Sequence, residues 1–454
     1  MTISSALTPE EAAEVSRRVA LVVDPYSSGS LLAPAFREAG IAPVALLTSP
    51  SSPAVVASSY RPGDFGAVVV HAGSLSETID RVRALGPHWV FAGCETGVEL
   101  ADQVAAALTP ALANRPDPSP TRRHKALMAA AAAARGLPTI RQVCTADEAE
   151  VASWLRREEL SDQDLVVKPP KSAGTDDVIR VCAGDDWRPA FRTVLGKRNR
   201  LDLVNEQVLV QEHVIGTEYV VDTVSFDGVH SVTDICRYRK TTTDRQMAIY
   251  DTVEILPWEH AANPRLIDYV SQVLDAVGIR FGAAHSEIML TPQGPLLIET
   301  AARCHGGGFP ELCQIATGDS QVDRIVRYCA GERDLPRSYR LTRRLLVVFL
   351  RAHASGVLRN GDVYDRIAGL ASCYESAVTV RSGDVVEATR DLFGSLALGS
   401  VVLAHENEEQ VQADYRAIRE LEKELVIEPP DALPVPNRQI SATIVCGDRN
   451  RGSR

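Results

Sequence analysis

The stretch AHSEIMLTPQGPLLIETAARCHGGG, residues 284–308, decides how the rest of this chain is interpreted. Two short apolar runs, SEIML and PLLIE, flank the turn TPQG (291–294). Proline early in the turn and glycine late in it predict a hairpin with a three-residue loop, in which Gly294 takes a left-handed conformation. Counting outwards from such a loop places Glu287 directly opposite Glu299 on the two strands.

Two glutamates that face each other across a hairpin indicate a cation between them. Like charges directly opposite each other destabilise a sheet, and Mg²⁺ is usually bound by one or two carboxylates together with substrate phosphates. Two alternatives stay open at this point. The hairpin could lie at the surface with both glutamates solvated, or a two-residue loop could send Glu287 and Glu299 to opposite faces of the sheet.

The composition is that of a globular protein with several domains. The chain has 454 residues, which is too long for one hydrophobic core and predicts about two to four domains. Its net charge of -11 argues against nucleic acid as a partner, because phosphate backbones need a basic surface. Nine scattered cysteines without a C-x-x-C pair predict reduced thiols and a cytoplasmic location.

Neither the N-terminus nor any later segment predicts contact with a membrane. The first residues, MTISSALTPEEAAEVSRR, lack the pattern of a secretory signal. No run of about 18 apolar residues is present to cross a bilayer. We therefore expect no membrane partner.

Residues 1–118 are predicted to form an α/β domain. Short apolar strand patterns such as VALVV (19–23) alternate with helix patterns, and SLSETIDRVRALG (74–86) begins with a capping box. Continuous apolar strands separated by helices indicate a parallel sheet covered on both faces. The run SSGS (27–30) precedes a helix and could hold an anion, but it is not a dinucleotide-binding fingerprint. A proline-rich linker at 110–120 marks the end of the domain.

Residues 119–333 change to longer strand patterns. The runs QVLVQEHV (207–214), EYVVDTVSFDG (218–228) and HSVTDICRYRK (230–240) predict an antiparallel meander with a tight turn at Asp227-Gly228. The hairpin quoted above continues this antiparallel pattern.

Residues 334–454 are predicted to form a C-terminal α+β domain. The run RLLVVFLRA (344–352) is typical of a buried strand, VTVRSGDVV (378–386) of a hairpin, and 408–425 of an amphipathic helix. The proline-rich tail after Glu428 is predicted to be partly disordered.

Lys168 is the first candidate for phosphate binding. It ends an apolar strand and enters a loop that contains Lys171, Ser172, Gly174 and Thr175. A lysine beside small loop residues suits phosphate oxygens, because it places a point charge next to backbone donors. The spacing excludes a P-loop, and a solvated turn stays open as the alternative.

Further candidates rest on single, weak patterns. They are Lys125 at a helix start, Glu212, His213 and Val214 at a strand end, Glu218, and His285 beside Glu287. A strand end exposes backbone groups that can bind the edge of a flat ring, and Glu218 could accept from sugar hydroxyls. Taken singly, each of these residues is equally explained by ordinary structural polarity.

Two other groups of residues are interpreted as structural. Cys304 lies beside Arg303, but no base is assigned to it, so we interpret it as a packed side chain. Arg237, Arg239 and Lys240 could meet an acidic substrate, but they fit solvated strand positions better.

The order of these pieces resembles the ATP-grasp superfamily of carboxylate–amine ligases, in particular its L-amino-acid ligase (dipeptide synthetase) branch. Four segments carry the resemblance: RRHKALM…GLPTIRQ, DLVVKPPKSAGTDDV, VQEHVIGTEYVVD and HSEIMLTPQGPLLIETAARCHGGG. It covers about 119–333, with a small lid-type subdomain implied over about 138–215 and a nucleotide and metal sheet over about 216–333. The fold class is then α/β and α+β multidomain, with antiparallel sheets in the centre.

The resemblance implies ATP and Mg²⁺ as cofactors, with Mn²⁺ as a substitute ion. Phosphates would be held by Lys125, Lys168, Lys171, Ser172 and Gly174, adenine by Glu212, His213 and Val214, and ribose by Glu218. Glu287 and Glu299 would bind the metal, Arg303 would act in catalysis, and His285, Gly307 and Gly308 would contact the substrates. Carboxylate and amine small molecules would be the partners, and a homodimer the assembly.

One departure concerns the metal ligands. Many ATP-grasp enzymes read E-x-N-x-R where this chain reads Glu299-Thr300-Ala301-Ala302-Arg303, so an Asn ligand is missing and the number of ions stays open. The implied reaction forms an amide through an acyl phosphate. Its rivals are a carboxyphosphate or purine-pathway ATP-grasp enzyme, a non-catalytic ATP sensor, and a ligase that takes its amine from a specialised metabolite, as in antibiotic biosynthesis.

Overall fold

The structure is a computed structural model that describes residues 18–243, 246–390 and 392–429. The N-terminal residues 1–17 and the proline-rich tail from residue 430 onwards, on which two of the predictions fall, lie outside these described residues.

The N-terminal region is a parallel α/β unit. Its strands are β1 (Val19–Val23), β2 (Ala42–Leu47), β3 (Ala67–Val70) and β4 (Trp89–Ala92), and its helices are α1 (Leu32–Glu38), α2 (Leu75–Arg83) and α3 (Val98–Leu108). The sheet order is β3-β2-β1-β4, and every pair is parallel. The predicted cap of α2 is present, because the Ser74 hydroxyl accepts from the Glu77 amide at 3.3 Å.

A small antiparallel sheet follows. The elements are α4 (Lys125–Ala134), β5 (Gln142–Thr145), α5 (Glu148–Arg157), β6 (Leu165–Lys168), β7 (Ile179–Val181), α6 (Arg188–Val194) and β8 (Val208–Glu212). The sheet order is β5-β8-β6-β7. The prediction that 207–214 begins the later meander is therefore wrong. Strand β8 is buried along most of its length and packs against α5 and α6, and residues 213–216 then carry the chain to the next sheet.

The largest sheet has eight antiparallel strands. Its first part contains β9 (Thr217–Phe226), β10 (Val229–Thr243), β11 (Gln246–Ile255), α7 (Asn263–Ala276), β12 (Gly282–Leu290), β13 (Pro295–Ala301), α8 (Phe309–Thr317) and α9 (Gln321–Ala330). The predicted turn between β9 and β10 is present, since both Asp227 and Gly228 have positive φ angles. Helix α7 packs on one face of this sheet and α8 on the other.

The C-terminal region extends the same sheet. Its elements are β14 (Arg344–Phe349), β15 (Gly356–Leu358), β16 (Cys373–Val378), β17 (Val385–Val386), α10 (Leu392–Leu398), β18 (Gly399–His405), α11 (Glu408–Lys423) and β19 (Ile427–Glu428). The full sheet order is β13-β12-β9-β10-β11-β14-β18-β16. The predicted hairpin at 378–386 is wrong, because β16 ends this sheet and β17 pairs with β15 in a separate three-stranded sheet.

These layers confirm the predicted fold class, with a parallel α/β unit, central antiparallel sheets and a C-terminal α+β region. The division into domains at 118 and 333 stays a proposal, and three strands that follow residue 333 belong to the central sheet. Among the helices of the described residues, none combines the length and the apolar character that crossing a membrane requires.

The hairpin of β12 and β13 brings Glu287 opposite Glu299, but not by the predicted loop. Thr291 and Gly294 exchange two backbone hydrogen bonds, of 3.0 and 3.1 Å, so the turn holds two residues rather than three. Leu290 then pairs with Pro295, a register that alone would send the glutamates to opposite faces. A β-bulge at Ile298 corrects the register by one residue and restores the pairing.

Candidate active site

Two clefts meet at Glu287 and Glu299. The first has an open volume of about 830 Å³ and lies between the small sheet and the large one. The second, of about 1110 Å³, lies between the N-terminal unit, the large sheet and the C-terminal region. Both glutamates line both clefts. Ligands in the two clefts would therefore approach each other at this pair of carboxylates.

The first cleft gathers most of the residues predicted to bind a nucleotide. They are Lys125, Lys168, Ser172, Gly174, Glu212, His213, Val214 and Glu218. They come from α4, the end of β6, the following loop, the end of β8 and the start of β9. The structure thus brings together segments that are far apart in the sequence.

Two of the lysines that line the first cleft, Lys125 and Lys168, are buried and differ in their partners. Lys125 Nζ lies 2.6 Å from Glu299 Oε2 and donates to the Ser172 carbonyl at 2.9 Å. Burial, together with the charge of Lys125, lowers the pKa of Lys168 from its usual value to about 8. Lys168 is therefore a buried cation that forms no ion pair with the described residues, and it faces a cleft where an anion would stabilise its charge.

Part of the loop that follows β6 lines the first cleft, and part of it lies outside the cleft. Ser172, Gly174 and Thr175 line the first cleft. The structure does not bring Lys171 into the cleft, because its ammonium pairs with Glu99 of the N-terminal unit at 2.7 Å. Lys171 consequently ties the loop to α3 in this conformation.

The end of β8 forms one wall of the first cleft. Glu212 accepts from both the backbone amide of Arg141, at 3.0 Å, and its guanidinium, at 2.8 Å. Burial lowers the pKa of His213, so its imidazole is neutral at pH 7. This wall offers Val214 as an apolar surface beside two polar residues.

Glu218 forms an ion pair with Lys240, a residue predicted from the sequence to be solvated. Lys240 is half-buried and donates to both oxygens of Glu218, at 2.6 and 2.7 Å. Its ammonium also lies 4.4 Å from the ring centre of Tyr250. By contrast, Arg237 pairs with Glu254, which lines neither cleft. Of the three basic residues on β10, Lys240 is the one that enters the site.

Glu287 remains ionised although it is half-buried. Burial works against the charge of Glu287, but the hydrogen bond and charge of His285 lower the pKa of Glu287 to about 2. His285 Nε2 lies 3.3 Å from Glu287 Oε1, and Lys125 binds one oxygen of Glu299. Each contact takes one oxygen, so a second carboxylate oxygen on each side fits a hard divalent cation.

Glu95 joins the N-terminal unit to the second cleft. It follows β4, is 7% exposed, and accepts from Arg303 Nε at 2.9 Å and from Arg123 at 2.6 Å. Burial raises the pKa of Glu95, but the charges of Arg123 and Arg303 outweigh it and lower the pKa. This residue was missed, although its position after a predicted parallel strand was a usable signal.

The second cleft also contains a buried acid between two histidines, Asp222 with His285 and His305. Asp222 Oδ1 lies 2.9 Å from His285 Nδ1, and its Oδ2 lies 2.7 Å from His305 Nδ1. Asp222 was missed because it lies opposite His285 on the neighbouring strand, and this pairing depends on the sheet order. Burial raises the pKa of Cys304 to about 12, which agrees with its interpretation as a packed thiol.

The glycine run after Arg303 is held by the N-terminal unit. The amide of Gly307 donates to the Ser27 hydroxyl at 3.1 Å, and the amide of Gly308 to the Ser28 hydroxyl at 2.9 Å. Gly307 lines the second cleft, whereas Gly308 is buried just before α8. The SSGS segment therefore clamps this loop through its serine hydroxyls.

The site resembles that of known ATP-dependent ligases. Residues 161–310 match the ATP-grasp domain. The chain is 26% identical over 427 residues to dapdiamide A synthase of Enterobacter agglomerans, which covers 90% of this chain and 96% of that protein.

Two solved structures share the fold. The L-amino acid ligase of Bacillus licheniformis superposes with a TM-score of 0.67 at 20% identity and covers 91% of this chain and 98% of its own. The carboxyaminoimidazole ribonucleotide synthase of Aspergillus clavatus, solved with ATP, has a TM-score of 0.63 at 14% identity and covers 90% and 99%.

Fold, clefts and similarities together define an ATP-grasp enzyme of the carboxylate–amine ligase class. Within that class the chain is similar to dapdiamide A synthase and shares its fold with an L-amino acid ligase, so the resemblance inferred from its sequence is confirmed.

Replacing Glu95 with Gln should destabilise the protein by about 3 kcal/mol, because two buried arginines lose their shared carboxylate. Denaturant unfolding measures the loss. Glu99→Gln is the matched control, since Glu99 is 41% exposed in its pair with Lys171 and should cost less than about 1 kcal/mol. Equal losses in the two variants would contradict the assigned role of Glu95.

We expect kcat/KM for ATP to fall as the pH rises through about 8, because Lys168 loses its charge above its lowered pKa. Initial rates of ADP formation between pH 6.5 and about 9.5 measure this profile. Lys168→Arg should move the fall to higher pH, since a guanidinium stays charged throughout this range. A flat profile in the unmodified enzyme would show that Lys168 does not bind phosphate.

Proposed function

We propose that this enzyme joins the carboxylate of one amino acid to the amine of a second amino acid or of an amino-acid-like metabolite, at the expense of ATP. The observation that carries the proposal is the meeting of the two clefts at Glu287 and Glu299. A carboxylate held in the second cleft then lies beside the terminal phosphate of a nucleotide in the first. The similarity to a dapdiamide A synthase and to an L-amino acid ligase supports these substrates.

The reaction has two steps. A substrate carboxylate oxygen attacks the γ-phosphorus of ATP, the bond to the bridging oxygen of ADP breaks, and an acyl phosphate forms. The amine nitrogen then attacks the acyl carbon, the bond to the phosphate oxygen breaks, and phosphate leaves with the electron pair. Water would hydrolyse the acyl phosphate, so we propose that loop 171–175 and the glycine run 305–308 close over it.

The nucleotide is proposed to lie in the first cleft with its phosphates at Lys125 and Lys168. Both lysines are buried beside Glu299, so phosphate charge would be stabilised there more strongly than in water. The adenine would lie against Val214, between the end of β8 and the bulge residue Ile298. The ribose would approach Glu218, whose carboxylate Lys240 holds in place.

Glu287 and Glu299 are proposed to hold Mg²⁺, which would neutralise phosphate charge when bound. His285 and Lys125 keep one oxygen of each carboxylate in place. Ala301, two residues after Glu299, offers no ligand side chain, so Glu287 and Glu299 form the protein part of the site.

Arg303 is proposed to stabilise the transferred phosphoryl group and the oxyanion of the acyl intermediate. Its Nε donates to Glu95, and its Nη1 donates to the Cys304 carbonyl, both at 2.9 Å. These two contacts fix the plane of the guanidinium, so that its remaining donors can reach the cleft without reorganisation.

The second cleft is proposed to accept an apolar side chain on one substrate. Its wall away from the glutamates is formed by Tyr250, Val253, Phe349, Leu392 and Leu396. These side chains come from β11, β14 and α10, so the C-terminal region supplies part of the surface. An aliphatic or aromatic amino acid would bury its side chain there.

A screen of amino-acid pairs for phosphate release, with mass spectrometry of the products, should find an ATP-dependent amide. Glu299→Ala should abolish ADP formation, because one metal ligand and the partner of Lys125 are lost. Glu254→Gln is the matched control, since Glu254 pairs with Arg237 on the same sheet outside both clefts, and its turnover should be unchanged. Full turnover by Glu299→Ala would refute the metal assignment.

The same screen separates the rival functions. ADP formation that depends on bicarbonate rather than on amino acids would favour the carboxyphosphate type, whose fold the chain shares. Binding of ATP without turnover under any of these conditions would favour a sensor. A product formed only with a specialised metabolite amine would keep the chemistry and change the acceptor.

Removal of divalent ions with EDTA should abolish ADP formation, and Mg²⁺ or Mn²⁺ should restore it. Glu287→Gln should raise the Mg²⁺ concentration needed for half-maximal rate, because an amide oxygen is a weaker ligand than a carboxylate. Unchanged turnover in EDTA would contradict a role for a divalent ion. A homodimer and a cytoplasmic location stay proposals, and sedimentation velocity would measure the former.

A further inference from the structure

His305 lines the second cleft, and the scheme above gives its imidazole no chemical role. It lies two residues after Arg303, and its ring stacks on Phe309 with centroids 3.8 Å apart and planes 2° apart. Its exposed fraction is 5%. The imidazole is thus rigidly placed beside the group that we assign to the acyl intermediate.

Hydrogen bonds fix the tautomer of this ring. His305 Nδ1 donates to Asp222 Oδ2 at 2.7 Å, so in the neutral ring Nε2 carries the lone pair. The Tyr238 hydroxyl, 3.0 Å from Nε2, donates to it. His305 is therefore built as a proton acceptor, with a buried carboxylate behind it that would stabilise the imidazolium.

The neighbouring histidine differs in its surroundings. His285 lies between two carboxylates, Asp222 at 2.9 Å and Glu287 at 3.3 Å. His305 contacts one carboxylate, that of Asp222. Burial and the nearby charges of His285 and Arg303 lower the pKa of His305 to about 4 against the opposing effect of Asp222. The ring is consequently neutral before the reaction, as a base must be.

The amine step needs such a group. An amine reaches the cleft mostly as an ammonium ion, which has no lone pair and cannot attack the acyl carbon. Arg303, Glu287 and Glu299 carry other functions in the proposal, and Lys125 is a cation paired with Glu299. His305 is a neutral nitrogen base in the same cleft as Arg303.

We propose that His305 is the catalytic base of the amine step. This proposal rests on the proposed ligase function. The substrate ammonium gives one proton to the Tyr238 hydroxyl, which lines the same cleft, as that hydroxyl passes its own proton to Nε2. The freed nitrogen then forms the bond to the acyl carbon, the bond from that carbon to the phosphate oxygen breaks, and phosphate leaves with the electron pair and takes up the second proton of the nitrogen. The imidazolium is held by Asp222 until it returns its proton to solvent or to the departing phosphate.

The charged and titratable groups that face His305 are few. Asp222 and Tyr238 contact it through hydrogen bonds, the His285 ring lies 4.1 Å away between centroids, and Arg303 acts through its charge. None of them is removed in the variants below, so the electrostatic surroundings are kept.

The test compares two nucleophiles that differ in their need for a base. His305→Asn keeps a donor toward Asp222 but lacks Nε2, and His305→Gln is the second variant. With the amino-acid pair that gives most product in the screen, amide formation at pH 7 should fall about 100-fold or more. Hydroxylamine is largely unprotonated at this pH, so its hydroxamate should form within about threefold of the normal rate.

The pH profile provides a second measure. In the variants, amide formation should rise about tenfold per pH unit toward the pKa of the amine, because only free amine reacts. His353→Gln is the matched control, since His353 is exposed outside both clefts, and both of its reactions should be unchanged.

Three results would overturn the inference. Equal losses of amide and hydroxamate would assign His305 a structural role, and unchanged amide formation would leave it no role in proton transfer. Failure of the unmodified enzyme to form either product from any amino acid would refute the proposed function, and this inference with it.

Discussion

The placement of Glu287 and Glu299 on one face of the sheet is the constraint on which the rest of the site depends. Two carboxylates so close are stable only with positive charge around them. The protein supplies part of it, with Lys125 on one side and His285 on the other. The remaining demand for positive charge suits a divalent ion, and both clefts end at this pair.

The second cleft is formed by separate parts of the chain, which meet at one buried cluster of charged side chains. Glu95 comes from the N-terminal unit, Arg123 from the segment before α4, and Arg303 from the end of the hairpin. A buried charge that loses its partner is costly, so this cluster holds the three segments in register. Arg303, the proposed catalytic residue, is thereby positioned by contacts between distant segments rather than by its own strand.

Sequence patterns predicted the parallel unit, the hairpin and most of the polar residues that line the first cleft, because strand periodicity and local turn chemistry are encoded in neighbouring residues. They failed where the answer depends on distant pairing. The loop at 291–294 is one residue shorter than predicted, and only the bulge at Ile298 preserved the conclusion. Asp222, Glu95 and Lys240 were missed because their roles come from partners on other strands or domains.

The continuity of the large sheet has an evolutionary consequence. Strand β14 is hydrogen-bonded to β11, and its last residue, Phe349, belongs to the apolar wall of the second cleft. Changes in the C-terminal region can therefore reshape the apolar wall of the second cleft while Glu287 and Glu299, at the other edge of the same sheet, are left intact. Such an arrangement allows a lineage of ligases to diversify its products while conserving one activation chemistry.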